Sequence, residues 1–177
     1  MSLGCFVNAQ KSIYYTGSIE AGILKGNRPA SSFVYTTHGI AYKQYAFSLG
    51  SGFDFYPFSS VPLFVDVKRR FSGKQVQSFI HAAAGVNFTS PNSNYAKSYF
   101  KYAGDGQFNT GFFAKGGGGL IFRAQKQWKI SLSAGYSYKT ASYIYKPYNG
   151  TPWEWQLQPV KDIFHYNRWY IGTGILW

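Results

Sequence analysis

Acidic residues, cysteine, methionine and long apolar runs are all scarce in this chain, and each scarcity excludes something. No stretch approaches the ~18 consecutive apolar residues of a membrane-crossing helix, so a chain built on transmembrane helices is excluded. Cys5 is the single cysteine, which rules out an internal disulfide framework and a Cys-built metal cage. No metal site and no cofactor motif is read elsewhere. Only 6 Asp+Glu stand against 18 Lys+Arg, a net charge of +12. Such a balance raises nucleic acid as a partner. The bases are scattered singly, however, apart from Lys68-Arg69-Arg70, and no RNP-like motif or zinc-finger spacing accompanies them. Nucleic acid is therefore not expected.

What the chain has in excess is aromatic: Tyr 16, Phe 16 and Trp 5, with 20 glycines spread along 177 residues. Aromatic and β-branched residues suit pleated strands, and the length fits one domain. Residues 11–177 read as that domain. Residues 1–10 read as the tail of a secretory signal peptide without its basic start, ending in the A-x-A-like Val7-Asn8-Ala9. The mature chain would begin near Gln10. A lipidated Cys5 and a disordered N-terminus are the alternatives.

Period-two alternation, broken by turn residues, predicts eight strands. They run from about Ser12 to Lys25, Ser32 to Tyr42, Tyr45 to Tyr56, Val61 to Phe71, Gln77 to Phe88, Thr110 to Arg123, Trp128 to Thr140 and Tyr166 to Trp177. Strands in soluble domains average about five or six residues, whereas tilted membrane-crossing strands need about nine to eleven. Short turns at 43–44, 72–76 and 124–127 alternate with longer connections at 26–31, 57–60, 89–109 and 141–165. Short turns at one end and long loops at the other describe an outer-membrane barrel, with the short turns on the periplasmic side.

The strand faces carry the same message. Tyr45, Phe47, Leu49, Phe53 and Phe55 oppose Ala46, Ser48, Gly50, Gly52 and Asp54. Trp128, Ile130, Leu132, Ala134 and Tyr136 oppose Lys129, Ser131, Ser133, Ser137 and Lys139. A bulky apolar face repeated over so many strands is too large for the inside of a narrow barrel. The expected fold is thus an all-β, eight-stranded antiparallel up-and-down transmembrane barrel, apolar toward lipid and small or charged toward the lumen. The second strand carries aromatic or aliphatic residues on both faces, so its facing cannot be read. Trp128, Trp169 and Trp177 sit near strand ends and are expected to anchor the membrane interfaces.

Three stretches carry a resemblance: Ala46-Phe47-Ser48-Leu49-Gly50-Ser51-Gly52-Phe53, Val61-Pro62-Leu63-Phe64-Val65-Asp66-Val67 and Tyr170-Ile171-Gly172-Thr173-Gly174-Ile175-Leu176-Trp177. With them the chain resembles eight-stranded outer-membrane barrels of the OmpA/OmpX type, and is closer in flavour to small barrels of Bacteroidetes. The terminal aromatic resembles the recognition end of bacterial outer-membrane proteins. The resemblance implies the bacterial outer membrane, contact with its lipid and lipopolysaccharide, and a monomer. It transfers no catalytic motif, and the fold hosts many functions.

By parity Glu20, Asp54, Asp66, Lys68, Arg70, Lys115, Arg123, Lys129, Lys139 and Arg168 face the lumen. Charges in a narrow, water-poor lumen should pair, and the expectation is an ion-pair plug. An anion-preferring pore is the alternative, because bases outnumber acids. His38, His81 and His165 come with no GxSxG elbow or HExxH helix, and no catalytic residue is assigned. An outer-membrane lipid-modifying enzyme, with His165 as its base, is the remaining alternative. Gly116 to Gly119 lies mid-strand and reads as backbone freedom or as space for large lumenal neighbours. The long loops carry Tyr99, Tyr102, Tyr145, Tyr148, Trp153 and Trp155. Such exposed rings suit recognition of an extracellular protein or glycan, or pack against one another on the rim. Lys68-Arg69-Arg70 forms a basic rim suited to anionic headgroups, or a solvated turn.

Overall fold

The computed structural model describes residues 13–26, 29–55, 58–73, 75–89, 106–124, 127–145 and 159–177. Its strands are β1 (Tyr14–Gly26), β2 (Ser31–Tyr42), β3 (Tyr45–Asp54), β4 (Ser60–Arg70), β5 (Val76–Thr89), β6 (Gln107–Asn109), β7 (Gly111–Arg123), β8 (Lys129–Tyr145) and β9 (Val160–Leu176). All neighbours are antiparallel, and β9 pairs with both β8 and β1, which closes the sheet. The short β6 continues the line of β7. Asn109 stands opposite Ser142 and Phe113 opposite Lys139, so one extra residue is inserted between them, a β-bulge. There the Phe112 N–H donates to Thr140 Oγ1 at 2.8 Å. Counted this way, the barrel has the eight strands that the alternation predicts.

The register fixes the barrel's dimensions. Starting at Thr16, partners run through Gly39, Ser48, Asp66, Ala83, Lys115, Ser137 and Arg168 and return to β1 at Gly26. The path closes ten residues further along the same strand. The stagger is even, so every strand keeps one face inward, and the tilt it imposes is roughly 40°.

The outward face is predominantly apolar, with Thr36, His38 and Arg69 among its polar residues. Leu49, Phe53, Val65, Ile80, Leu132 and Ile171 are all exposed, Ile171 by 72%. No aqueous fold presents such a continuous belt, whereas lipid does. Trp128 and Trp177 sit together at the short-turn end, ring centroids 6.0 Å apart. Trp169 packs against Tyr136 on the outer face. The strand between Trp169 and Trp177 rises ~3.3 Å per residue at that tilt, placing the two about 20 Å apart along the axis.

One expectation is corrected, and one facing left open is now fixed. Residues 141–145 and 160–165 are not loop: Ala141 pairs with Phe164 and Tyr145 with Val160, so β8 and β9 project past the other strands as a hairpin. Trp169 therefore lies within β9 rather than near its start. The second strand faces Phe33, Tyr35 and Ala41 inward, all buried, and Val34, His38, Ile40 and Tyr42 outward. The lumen is thus aromatic as well as small and charged.

Inward aromatics fit because inward glycines stand beside them. A Cβ on Gly50 would enter the Phe64 ring, one on Gly119 the Phe79 ring, and one on Gly117 the Tyr170 hydroxyl. In the four-glycine run, Gly117 and Gly119 therefore make lumenal space. Gly116 faces outward, with nothing nearer than 3.8 Å to its Cβ position. At the tight turn, Lys43 takes a φ of 55°, as two-residue hairpins require. Replacing Gly50 by Ala should destabilise the barrel by about 1–3 kcal/mol through overpacking, while Gly116→Ala should be near neutral. Urea unfolding in detergent, followed by heat-modifiable gel migration, checks both.

Candidate functional site

The lumen holds the charges, and β1, β3, β4, β5, β7, β8 and β9 each contribute to it. At mid-height Lys115 donates from Nζ to Glu20 Oε2 at 2.9 Å, and Ser133 Oγ donates to Glu20 Oε1 at 2.5 Å. The same ammonium lies 4.1 Å from the Tyr170 ring centroid, 4.7 Å from Phe33 and 5.1 Å from Tyr35. A desolvated cation needs such a surround: one carboxylate for its charge and ring faces for its other sides.

Beside it, Asp66 and Tyr170 flank His81. Asp66 Oδ1 is 2.9 Å from Nδ1, and the Tyr170 hydroxyl is 2.6 Å from Nε2. Where Nδ1 carries the proton it donates to the carboxylate, and Nε2 can then accept a hydrogen bond from the Tyr170 hydroxyl. Toward the long-loop end, Lys139 Nζ donates to Asp54 Oδ2 at 2.9 Å and to Ser60 Oγ at 2.8 Å. Both charged residues are 1% exposed. Arg168 donates to the Pro29 carbonyl and Ser31 Oγ, each at 3.0 Å.

Glu20, Asp54 and Asp66 therefore each have a partner, and one partner was not legible in the charge count. His81, not a lysine or arginine, pairs with Asp66. Its signal was its inward register opposite Lys68. Lys68 itself sits 5.0 Å from the Phe79 ring. Arg70, Arg123 and Lys129 gather at the short-turn mouth. The charges are thus distributed in levels along the axis rather than joined into one network.

Aromatic rings occupy the space between levels. Phe33, Tyr35, Phe64, Phe113 and Tyr170 belong to one buried cluster that includes Phe58, with Phe108 and Phe164 packed on it. Phe79, Ile121 and Leu176 form a second cluster. The mid-lumen void lined by Glu20, Asp66, Lys68, His81 and Lys115 is about 20 Å³, space for a single water.

The remaining singled-out residues fall as follows. Tyr145 ends β8 and stacks on Tyr143 at 5.6 Å. Tyr99, Tyr102, Tyr148, Trp153, Trp155 and Cys5 lie outside the described residues. His165 is exposed on β9, its Nδ1 2.9 Å from the Tyr138 hydroxyl. His38 points outward between Tyr15 at 2.5 Å and Thr36 at 3.0 Å. Arg69, also outward, lies over Tyr45 and Phe71, as suits a cation at an interface.

No family model matches the chain, and no curated protein sequence does. Among solved structures, the outer membrane protein OprG from Pseudomonas aeruginosa is similar over 93% of this chain and 95% of its own, with a TM-score of 0.54 and 12% identity. Neisserial surface protein A (NspA) is similar over 93% and 97%, with a TM-score of 0.48 and 12% identity. The chain has the fold of a bacterial outer-membrane barrel. OprG shares that fold at an identity too low to carry anything about activity.

Removing one partner of a buried pair leaves the other charge uncompensated. Lys115→Met should therefore destabilise the folded barrel by about 3–5 kcal/mol, and the double variant Lys115→Met/Glu20→Gln should recover much of it. Urea titrations of the three proteins in detergent measure the coupling, and additive losses would show that the pair is not coupled.

Proposed function

We propose that this is an integral outer-membrane barrel with a closed lumen, serving a structural or surface-recognition role through its long-loop end. The observation carrying this reading is the filled mid-lumen: the void lined by Tyr35, Phe64, Phe79 and the Lys115–Glu20 pair is only about 20 Å³, and Phe33, Phe113 and Tyr170 are buried beside it. A hydrated ion does not pass such a constriction without rearrangement.

The long-loop end supplies a rigid base. The β8–β9 hairpin pairs as far as Tyr145 and Val160, and Phe58, Phe108 and Phe164 pack together beneath it. Loops on rigid scaffolds are where recognition is ordinarily placed. Residues 146–158 carry Tyr148, Trp153 and Trp155, which have the few rotamers that suit protein or glycan contact. Closure leaves no free barrel edge, which supports a monomer embedded among outer-membrane lipid and lipopolysaccharide. The OmpA/OmpX likeness is, on this reading, one of architecture.

The excess of inward bases favours a second reading, an anion-preferring pore. Conductance separates the two. Protein inserted in a planar bilayer should give no steady steps, and reproducible anion-selective steps would overturn the closed lumen. Replacing residues 146–158 by a short Gly/Ser turn should abolish binding on glycan and lipopolysaccharide arrays while heat-modifiable migration persists. Unchanged binding would remove the loop from the recognition role.

A further inference from the structure

The short-turn mouth differs in kind from the rest of the lumen. A cavity of about 210 Å³ opens there, lined by Tyr14, Tyr15, Thr16, Arg70, Lys129 and Trp177 among others. None of the four carboxylates among the described residues lines it. The tight turn on the same rim adds Lys43. On the inward face Arg123 stands directly opposite Lys129, a like-charge cross-strand pair that is unfavourable unless something of opposite sign is near.

Arg70 is held in place by two hydroxyls. Its Nη1 donates to the Tyr14 hydroxyl at 3.2 Å and its Nη2 to Thr16 Oγ1 at 3.1 Å. Both hydroxyls accept from the guanidinium, which leaves their own protons to donate onward. Arg70 as a whole is half-buried and lines the cavity. A half-buried guanidinium with a second cation beside it, two hydroxyls free to donate, the Gln127 amide and no lining carboxylate make a set rich in donors and positive charge. It fits an oxyanion and repels a cation.

We infer that this mouth binds a phosphate-class oxyanion, held by Arg70 and Lys129 with the Tyr14 and Thr16 hydroxyls. The cavity joins inward Arg70 and Lys129 to Tyr15 and Trp177 on the outer face. It is therefore reachable both by free phosphate and by the headgroup phosphate of a lipid whose chains lie along the barrel. Phosphate offers several acceptor oxygens to a guanidinium fork and an ammonium at once.

The test uses the full chain in zwitterionic detergent. Tryptophan fluorescence, which Trp177 reports from the cavity wall, is titrated with inorganic phosphate. It is then repeated in nanodiscs with and without phosphatidylglycerol. A saturable change with inorganic phosphate identifies a free-oxyanion site, and one only with phosphatidylglycerol identifies a headgroup site. Arg70→Gln and Lys129→Gln should each weaken binding by about tenfold, the loss of one charge-assisted contact. Lys43→Gln, on the same rim but outside the cavity, should leave it unchanged. No saturable change with either probe overturns the site. So does an equal loss in Lys43→Gln, which would reduce the effect to diffuse rim charge. Heat-modifiable migration confirms that each variant is folded.

Discussion

Everything inside this barrel is arranged by one constraint, the volume left when eight strands close with a stagger of ten residues. That volume is too small for a row of large side chains on every strand and too large for a row of small ones. The chain meets it by alternating the two across neighbouring strands. Phe64 lies where Gly50 offers no side chain, Phe79 beside Gly119, and Tyr170 over Gly117 and Gly135. Glycine in a strand costs backbone entropy and side-chain packing. Here the cost is offset by the ring each glycine admits.

The electrostatics follow from the packing. Once rings fill the lumen, water is largely displaced and an ammonium there loses its hydration. Lys115 is tolerable because Tyr170, Phe33 and Tyr35 present their faces to it and Glu20 meets its charge. The rings that make the lumen dry also compensate for the dryness. The glycines are therefore a condition for the ion pair, since without them the cage rings have no room. Lys139 and Asp54 repeat the logic nearer the long-loop end, with Ser60 taking a further hydrogen bond.

The fold was legible where one face was uniformly bulky. β3, β8 and the lower part of β9 alternate cleanly, and their facing follows from parity alone. β2 was not legible because Phe33 and Tyr35 point inward, against the small-or-charged rule, while His38 points outward. What licenses those rings is glycine on other strands, Gly22, Gly52 and Gly172, and a single strand does not display its neighbours. The length of β8 and β9 was hidden for a related reason: beyond the membrane both faces become aromatic and polar, so the period-two signal fades while the pairing continues. In the lumen, parity placed the charges on the inner face but could not say which met which. Partners depend on stagger, and the stagger of ten is a property of closure rather than of any one segment. Hence Asp66 meets His81 instead of a lysine.

The two ends of the barrel then differ for a physical reason. Toward the long loops, the lumen is sealed by rings, and a charge there is stranded unless an opposite charge or a carbonyl lies within reach. Asp54 with Lys139, and Arg168 with the Pro29 carbonyl, meet that demand. At the short-turn mouth the walls part and the medium becomes aqueous interface. Desolvation is weaker there, so Arg70, Arg123 and Lys129 can stand without a carboxylate among them. Of the acids among the described residues, Glu20, Asp54 and Asp66 are spent in the interior, where lacking a counter-charge would be prohibitive. The surplus of bases falls where an external anion, rather than the chain itself, can supply the balancing charge.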